Sequence, residues 1–205
     1  LLRGFQSLDR FWLEDIAGLE AVAAYVLFLG VASVLMTFLD AGVFAFGYPE
    51  LIRLHLAGDS AQARKTIRQM LIQTIGISAG FGVASWLALP MLLGWIGNPV
   101  YFNYSRIYPL LVLAMTINAL GTVPHFALYA IRRDRPIICS HLAALPAFIV
   151  VTWVSTKVLP VSQELFAVPL GLNAAFLLIL LWKSIALINS GDTDSVSRSE
   201  KFKIV

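Results

Sequence analysis

The chain has 205 residues, of which 59% are hydrophobic and 13% charged, and its formal net charge is +3 at pH 7. Soluble domains average roughly 45–50% apolar and about 25% charged residues, so this composition excludes a soluble enzyme or binding module. The apolar content also excludes a disordered protein. Long unbroken apolar runs contradict the alternating pattern of a membrane β-barrel. The sequence therefore predicts an all-α, polytopic bundle of membrane helices.

The first segment, residues 1–16, has the pattern of an amphipathic helix. Leu8 and Trp12 share one face, whereas Arg3 and Arg10 lie roughly opposite, at spacings of three and four residues. Two interpretations compete for this segment. It could lie flat at the membrane surface, or it could be the outer end of a truncated span with one lipid-facing side and one wet side.

Five apolar stretches follow, each long enough to cross a bilayer core, which takes about 20 residues. They cover residues 19–46, 71–96, 110–131, 137–159 and 165–188. Residues 1–188 are therefore expected to form one transmembrane unit. The remaining residues, 189–205, are polar and rich in serine, which predicts a disordered tail. In the first linker, Asp59 with Gln62 predicts the start of a helix.

The linkers alternate in charge along the chain. Residues 47–70, 132–136 and the tail carry clusters of lysine and arginine, whereas residues 98–106 and 160–164 carry few. Basic residues favour the cytoplasmic side of a membrane. The pattern predicts that the three basic segments, including the C-terminus, face the cytoplasm.

Charged and polar groups inside a span are expensive and often functional. Asp40 shares a helical face with Ser33 and Thr37 in the first span. This face could border a wet cavity. Alternatively, Asp40 could be a carboxylate near the inner interface that is hydrogen-bonded to a neighbouring helix.

The third span carries one polar stripe on an otherwise apolar helix. Its members recur at spacings of three and four and are Asn118, Gly121, Thr122, His125 and Tyr129. The stripe could line a cavity, or it could supply hydrogen bonds between helices. The isolated Asn173 of the fifth span is expected to join helices in this second way.

No motif of a soluble-type catalytic site is present: there is no phosphate loop, dinucleotide fingerprint, nucleophile elbow or zinc pattern. The three histidines show no metal-ligand spacing, and the single cysteine, Cys139, is expected to be a small buried residue. We therefore expect no enzyme activity, no catalytic residues, no metal and no cofactor. The basic residues follow the topology and form no nucleic-acid-binding face.

Residues 121–136, GTVPHFALYAIRRDRP, resemble the "LYA…RD" helix ending of polysaccharide flippases, of O-antigen type, in the multidrug/oligosaccharidyl-lipid/polysaccharide exporter superfamily. The loop from Tyr48 to Lys65 is similar to the loop after the second helix of that family's C-terminal lobe. Residues 7–10 (SLDR), with Ala24 and Tyr25 beyond them, resemble the first helix of that lobe and its exit.

The resemblance implies a C-terminal lobe: the end of a first helix and five complete ones, with a six-helix N-terminal lobe missing. It implies alternating access around a central cavity in the bacterial inner membrane, with an undecaprenyl-diphosphate-linked sugar as substrate. Arg3 and Arg10 would then line the cavity, which suits the pairing of arginine with pyrophosphate. The candidate substrate-binding or cavity residues are Arg3, Arg10, Asp40, Asn118, His125 and Tyr129.

Two other functions stay open. A cation-coupled multidrug exporter of the same superfamily could use Asp40 as its coupling carboxylate. A membrane scaffold that transports nothing is the second alternative. Polar stripes that face one shared cavity favour transport, whereas stripes buried in separate helix contacts favour a scaffold.

Overall fold

The computed structural model describes the backbone of residues 2–202 and the side chains of residues 8–160 and 163–190. Every regular element in this part of the chain is helical. Five helical stretches are long and apolar enough to cross a membrane: Leu8–Leu56, Ser60–Ile96, Pro99–Ala130, Asp134–Val158 and Gln163–Ser190. The prediction of an all-α membrane bundle with five spans is confirmed. The side chain of Arg3, and those of the predicted tail beyond Ser190, lie outside the described residues.

The helices follow one another with short connections. In chain order they are α1 (Leu2–Leu39), α2 (Ala45–Leu56), α3 (Ser60–Ile96), α4 (Pro99–Tyr104), α5 (Tyr108–Ala130), α6 (Asp134–Val158) and α7 (Ala167–Phe202). A π-helical turn, Asp40–Phe44, joins α1 to α2, and 3-10 turns at Ser105–Ile107 and Val161–Phe166 precede α5 and α7. The Asp59 carboxylate accepts the Gln62 N–H at 3.0 Å, so the predicted helix start is confirmed.

Helix α1 is a hairpin of two helical segments, residues 2–17 and 19–39, that meet at Gly18. Gly18 has φ 81° and ψ 175°, which is not a helical conformation and is open chiefly to glycine. The Tyr25 hydroxyl donates to the Asp9 carboxylate at 2.7 Å across 16 residues. An unbroken helix would hold two such residues about 24 Å apart, so the chain must fold back at Gly18.

The first of these segments packs against the bundle. The Trp12 ring meets the Phe148 ring of α6 edge to face, with centroids 6.3 Å apart. Leu13 is fully buried, and Asp9 is buried against Tyr25. These contacts hold the first segment against α6 and against the second segment of α1.

Helix α7 approaches both α5 and α6 closely, because small residues lie at the contacts. A Cβ at Gly171 would overlap the Thr152 hydroxyl and lie 3.1 Å from the Phe148 carbonyl oxygen, both on α6. At Gly121 of α5, a Cβ would lie 3.6 Å from the Leu180 Cα on α7. Small residues at such crossings let membrane helices gain van der Waals contact without help from a hydrophobic driving force.

The basic linkers meet at one end of the bundle. Gly58 of the α2–α3 turn, Ile131 of the α5–α6 turn and Ser190 of α7 all line one cavity. We call this end the basic end, because its linkers and adjoining turns carry Arg53, Arg64, Lys65, Arg68, Arg132, Arg133 and Arg135. The alternation of basic and neutral linkers in the sequence therefore corresponds to the two ends of the bundle.

The Gly171 contact gives a testable prediction about stability. Gly171→Ala should lower the thermal unfolding midpoint of the detergent-solubilised chain, because the added Cβ would overlap the Thr152 hydroxyl and crowd the Phe148 carbonyl oxygen. Overpacking of this kind costs roughly 1–3 kcal/mol. Gly80→Ala on α3 is the matched control, since no atom lies within 4 Å of its Cβ position. That control should be neutral or stabilising, given the higher helix propensity of alanine. Equal midpoints for the two variants would refute the tight crossing.

Candidate functional site

A polar stripe on the second segment of α1 points away from the bundle. Gly30, Ser33, Thr37 and Asp40 are all exposed, and the Ser33 hydroxyl donates to the Gly30 carbonyl at 2.7 Å. The opposite face of the same helix is buried and consists of Ala32, Leu35 and Leu39. The stripe therefore faces whatever surrounds the bundle at this position.

Asp40 lies within the membrane-spanning part of the chain. The Phe44 ring contacts the Phe126 ring at 5.5 Å between centroids, and Phe126 lies one turn, about 6 Å, from the end of α5. Asp40 lies a further turn from the basic end. It is thus about 12 Å deep along α5, a helix of 23 residues and about 34 Å.

The helix changes its geometry at Asp40. The Ala45 N–H donates to the Asp40 carbonyl, which closes a π-helical turn instead of an α-helical one. Such single π turns interrupt α-helices frequently at functional sites. The exposed carboxylate and the π turn therefore coincide at one position of the first span.

A second polar cluster lies inside the bundle, at the junction of α5, α6 and α7. Its centre is Lys183, which is only 3% exposed. The Lys183 Nζ lies 3.2 Å from the His125 Nδ1 and 3.3 Å from the His141 Nε2. We call these three residues the Lys183 cluster; they tie three spans together through their side chains.

The charge of this cluster has no carboxylate partner among the described residues. A lysine ammonium donates only, so each contacted imidazole nitrogen must offer a lone pair, and both rings must be neutral when Lys183 is charged. The His141 Nδ1 then carries the ring proton, yet it is buried without an acceptor in the described part of the chain. With Lys183 charged, the cluster would therefore hold one positive charge beside the lone pairs of two ring nitrogens.

His125 is a candidate that the sequence predicts, whereas its partners His141 and Lys183 were not predicted. His141 and Lys183 are 42 residues apart, and Lys183 is 58 residues from His125, so no periodicity links them. One signal was available, because Lys183 is the single charged residue of the apolar stretch 165–188. Charged groups inside a span mark sites that need a partner or water.

The other residues of the polar stripe of α5 make contacts that differ from those of His125. Thr122 donates to the Asn118 carbonyl within its own helix at 3.0 Å, and the Asn118 side chain is half-buried. Tyr129 is 51% exposed, and its ring lies 5.9 Å from that of Tyr48 on α2. Of the two interpretations of this stripe, hydrogen bonding between helices is the one that His125 shows, through its contact with Lys183.

Arg10 lies on an exposed face of the first segment. Its backbone N–H donates to the Asp9 carboxylate at 2.7 Å, and its guanidinium forms no salt bridge with Glu14 in the part of the chain that the structure describes. The predicted cavity residues whose side chains are described therefore fall into separate places. Arg10 and Asp40 lie on outer faces, His125 lies inside the bundle, and Tyr129 lies toward α2.

Two minor expectations have clear outcomes. The Asn173 side-chain amide donates to the Leu110 carbonyl of α5 at 2.9 Å, which confirms that Asn173 joins helices. The prediction that Cys139 is buried was wrong, because the thiol is exposed on α6. Its neighbours Ile137 and Ser140 take the buried positions of that turn.

No protein-family model matches the sequence, and no curated protein or solved structure shows significant similarity to the chain. The resemblance to polysaccharide flippases therefore rests on the sequence motifs alone. Within the described residues, no three histidine, cysteine or acidic side chains are grouped so that they could hold a metal ion. The candidate site is thus defined by its geometry: an exposed stripe that ends at Asp40, and the buried Lys183 cluster.

The Lys183 cluster gives a prediction about stability. Lys183→Met should leave the unfolding midpoint unchanged or raise it, because an apolar side chain of similar size replaces a buried charge. His125→Leu should lower the stability by about 1.5–3 kcal/mol, since the ammonium loses an acceptor. Thermal unfolding of the detergent-solubilised chain measures both effects.

Two further variants complete this test. Lys157→Met removes an exposed lysine from the last turn of α6 and should change little. The double variant Lys183→Met/His125→Leu should be as stable as Lys183→Met alone, since the orphaned charge is gone. If Lys183→Met lowered the unfolding midpoint as much as His125→Leu does, Lys183 would not be a buried charge that costs stability.

Proposed function

We propose that this chain is the C-terminal lobe of a transporter that moves a lipid-linked oligosaccharide or polysaccharide precursor across the bacterial inner membrane. The observation that carries the proposal is the exposed polar stripe that ends at Asp40, about 12 Å deep in the spanning part. A carboxylate that faced lipid there would be costly. A water-filled cavity beside the stripe removes this cost, and such a cavity is what a transporter needs.

The positive groups of the chain support an anionic substrate. Arg10 presents an exposed guanidinium from the same hairpin that carries the stripe. A planar guanidinium binds diphosphate oxygens through two parallel hydrogen bonds. An undecaprenyl-diphosphate-linked sugar would supply such a group, as the motif resemblance also implies.

Orientation follows from the positive-inside rule. The basic end would face the cytoplasm, and so would the C-terminus. Alternating access requires a second unit against which this lobe can rock. In this proposal that unit is an N-terminal lobe of the same protein, and the exposed polar stripe would face it across the cavity.

A cation-coupled multidrug exporter is the second candidate. The exposed carboxylate of Asp40 favours it, because a coupling ion needs a reachable anionic ligand within the membrane. A scaffold without transport activity gains support from His125 and Asn173, which serve contacts between helices.

The first experiment tests water access at Asp40. Asp40→Cys, in a Cys139→Ser background, should react with a small, membrane-impermeant thiol reagent in the full-length protein, because the proposed cavity is hydrated. Leu142→Cys is the matched control, since it is exposed and apolar on α6 at a similar distance from the basic end. It should stay unreactive in lipid. If both cysteines stayed unreactive in every transport state, the proposal of a water-filled cavity beside Asp40 would be refuted.

The second experiment tests Arg10 against the substrate. Export of lipid-linked polysaccharide by full-length protein, at matched membrane abundance, should fall roughly 10- to 100-fold in Arg10→Ala, since a charge-assisted contact is lost. Arg10→Lys should give an intermediate loss, because it keeps the charge without the planar fork.

Glu14→Ala is the control for a structural role of the arginine. If Arg10 only pairs with Glu14 along the helix, both alanine variants should show the same loss through lower protein abundance. Normal export by Arg10→Ala would remove Arg10 from the substrate site. Normal export of polysaccharide together with lost drug efflux in Asp40→Asn would favour the multidrug exporter.

A further inference from the structure

An open cavity of about 410 Å³ lies at the basic end between α2, α3, α5 and α7. We call it the basic-end cavity. Its walls are mainly apolar and include Leu54, Ile67 and Ile188, one from each of three helices. Arg64 and His55 also line it. The cavity thus combines an apolar wall with two side chains that can donate hydrogen bonds from nitrogen.

Neither of these two polar side chains is neutralised within the described part of the chain. Among the side chains that the structure describes, residues 8–160 and 163–190, no carboxylate lines the cavity. Two acidic groups of the α2–α3 hairpin have other partners: Glu50 binds Arg53 at 2.6 Å, and Asp59 accepts the Gln62 N–H. Arg64 is exposed and forms no salt bridge within the described part of the chain, so its guanidinium can bind an anion. An imidazole N–H of His55 can donate in either protonation state.

The position of the cavity fits a lipid. It lies where α2 ends at Leu56, α3 begins at Ser60 and α5 ends at Ala130, close to residue 131, where the sequence predicts that the third span ends. The apolar wall therefore continues toward the acyl chains, and the arginine lies at the level of the headgroups. Basic pockets between membrane helices on the cytoplasmic side bind anionic lipid heads.

We propose that the basic-end cavity binds one anionic phospholipid of the surrounding leaflet. Its phosphate contacts Arg64 and His55, and an acyl chain lies along Leu54, Ile67 and Ile188. A lipid held in this way bridges the α2–α3 hairpin to α5 and α7. The proposal does not depend on the transport function, because a resident lipid would stabilise the bundle whatever the protein carries.

The test uses the full chain in nanodiscs of phosphatidylglycerol or phosphatidylcholine. Native mass spectrometry should find one phosphatidylglycerol retained by the wild-type protein, and occupancy should fall about tenfold or more in Arg64→Ala. Arg68→Ala is the matched control: it lies one turn further along α3, is exposed, and does not line the cavity. It should retain the lipid as the wild type does.

A second variant separates the cavity from its charge. Ala63→Trp places a large ring in the cavity and keeps Arg64, so it should also lose the lipid. Added phosphatidylglycerol should raise the unfolding midpoint of the wild type and Arg68→Ala, but not that of Arg64→Ala or Ala63→Trp. The midpoints measured without lipid show that each variant is folded.

Three outcomes would overturn the proposal. Equal losses in Arg64→Ala and Arg68→Ala would indicate diffuse attraction of lipid to the basic end. Equal retention of phosphatidylcholine would indicate an apolar cavity that takes any acyl chain. Preferential retention of undecaprenyl diphosphate from a mixed bilayer would assign the cavity to the transported substrate.

Discussion

A polar group inside a bilayer must find a partner within the protein or reach water, because hydrocarbon offers neither donors nor acceptors. The backbone of this chain meets the requirement by being helical in all its spans. The same requirement decides where each polar side chain can lie. Asp9 and Tyr25 satisfy one another across the Gly18 turn, and that bond holds the first segment against the bundle.

The polar side chains divide into two groups under this constraint. One group faces inward and joins helices, as Lys183 does with His125 and His141. The other group faces outward, as Ser33, Thr37 and Asp40 do from α1. The outward group needs something outside the described chain, either water or another part of the protein. This division is why the proposed transport site is placed on the outer face of α1 and not inside the bundle.

The basic end shows the constraint at the membrane boundary. Here α2 and α5 end, α3 and α6 begin, and the linkers between them carry clustered arginine side chains. The cavity between α2, α3, α5 and α7 lies at this end. Its apolar wall and its arginine reproduce the two environments of a phospholipid, the acyl chain and the phosphate. A surface lipid can thus complete packing that the side chains leave open.

The sequence by itself determined the number of spans, the helix start at Asp59 and the segregation of basic linkers, because apolar length, capping and linker charge are local properties. It also singled out Asp40 and His125, since a polar residue in an apolar run is visible without a structure. It could not find the Gly18 hairpin, the Asp9–Tyr25 bond or the Lys183 cluster. These depend on which helix faces pack together over separations of 16 to 58 residues, and that packing is decided by close contacts such as Gly171 against α6, which exist only in the tertiary structure.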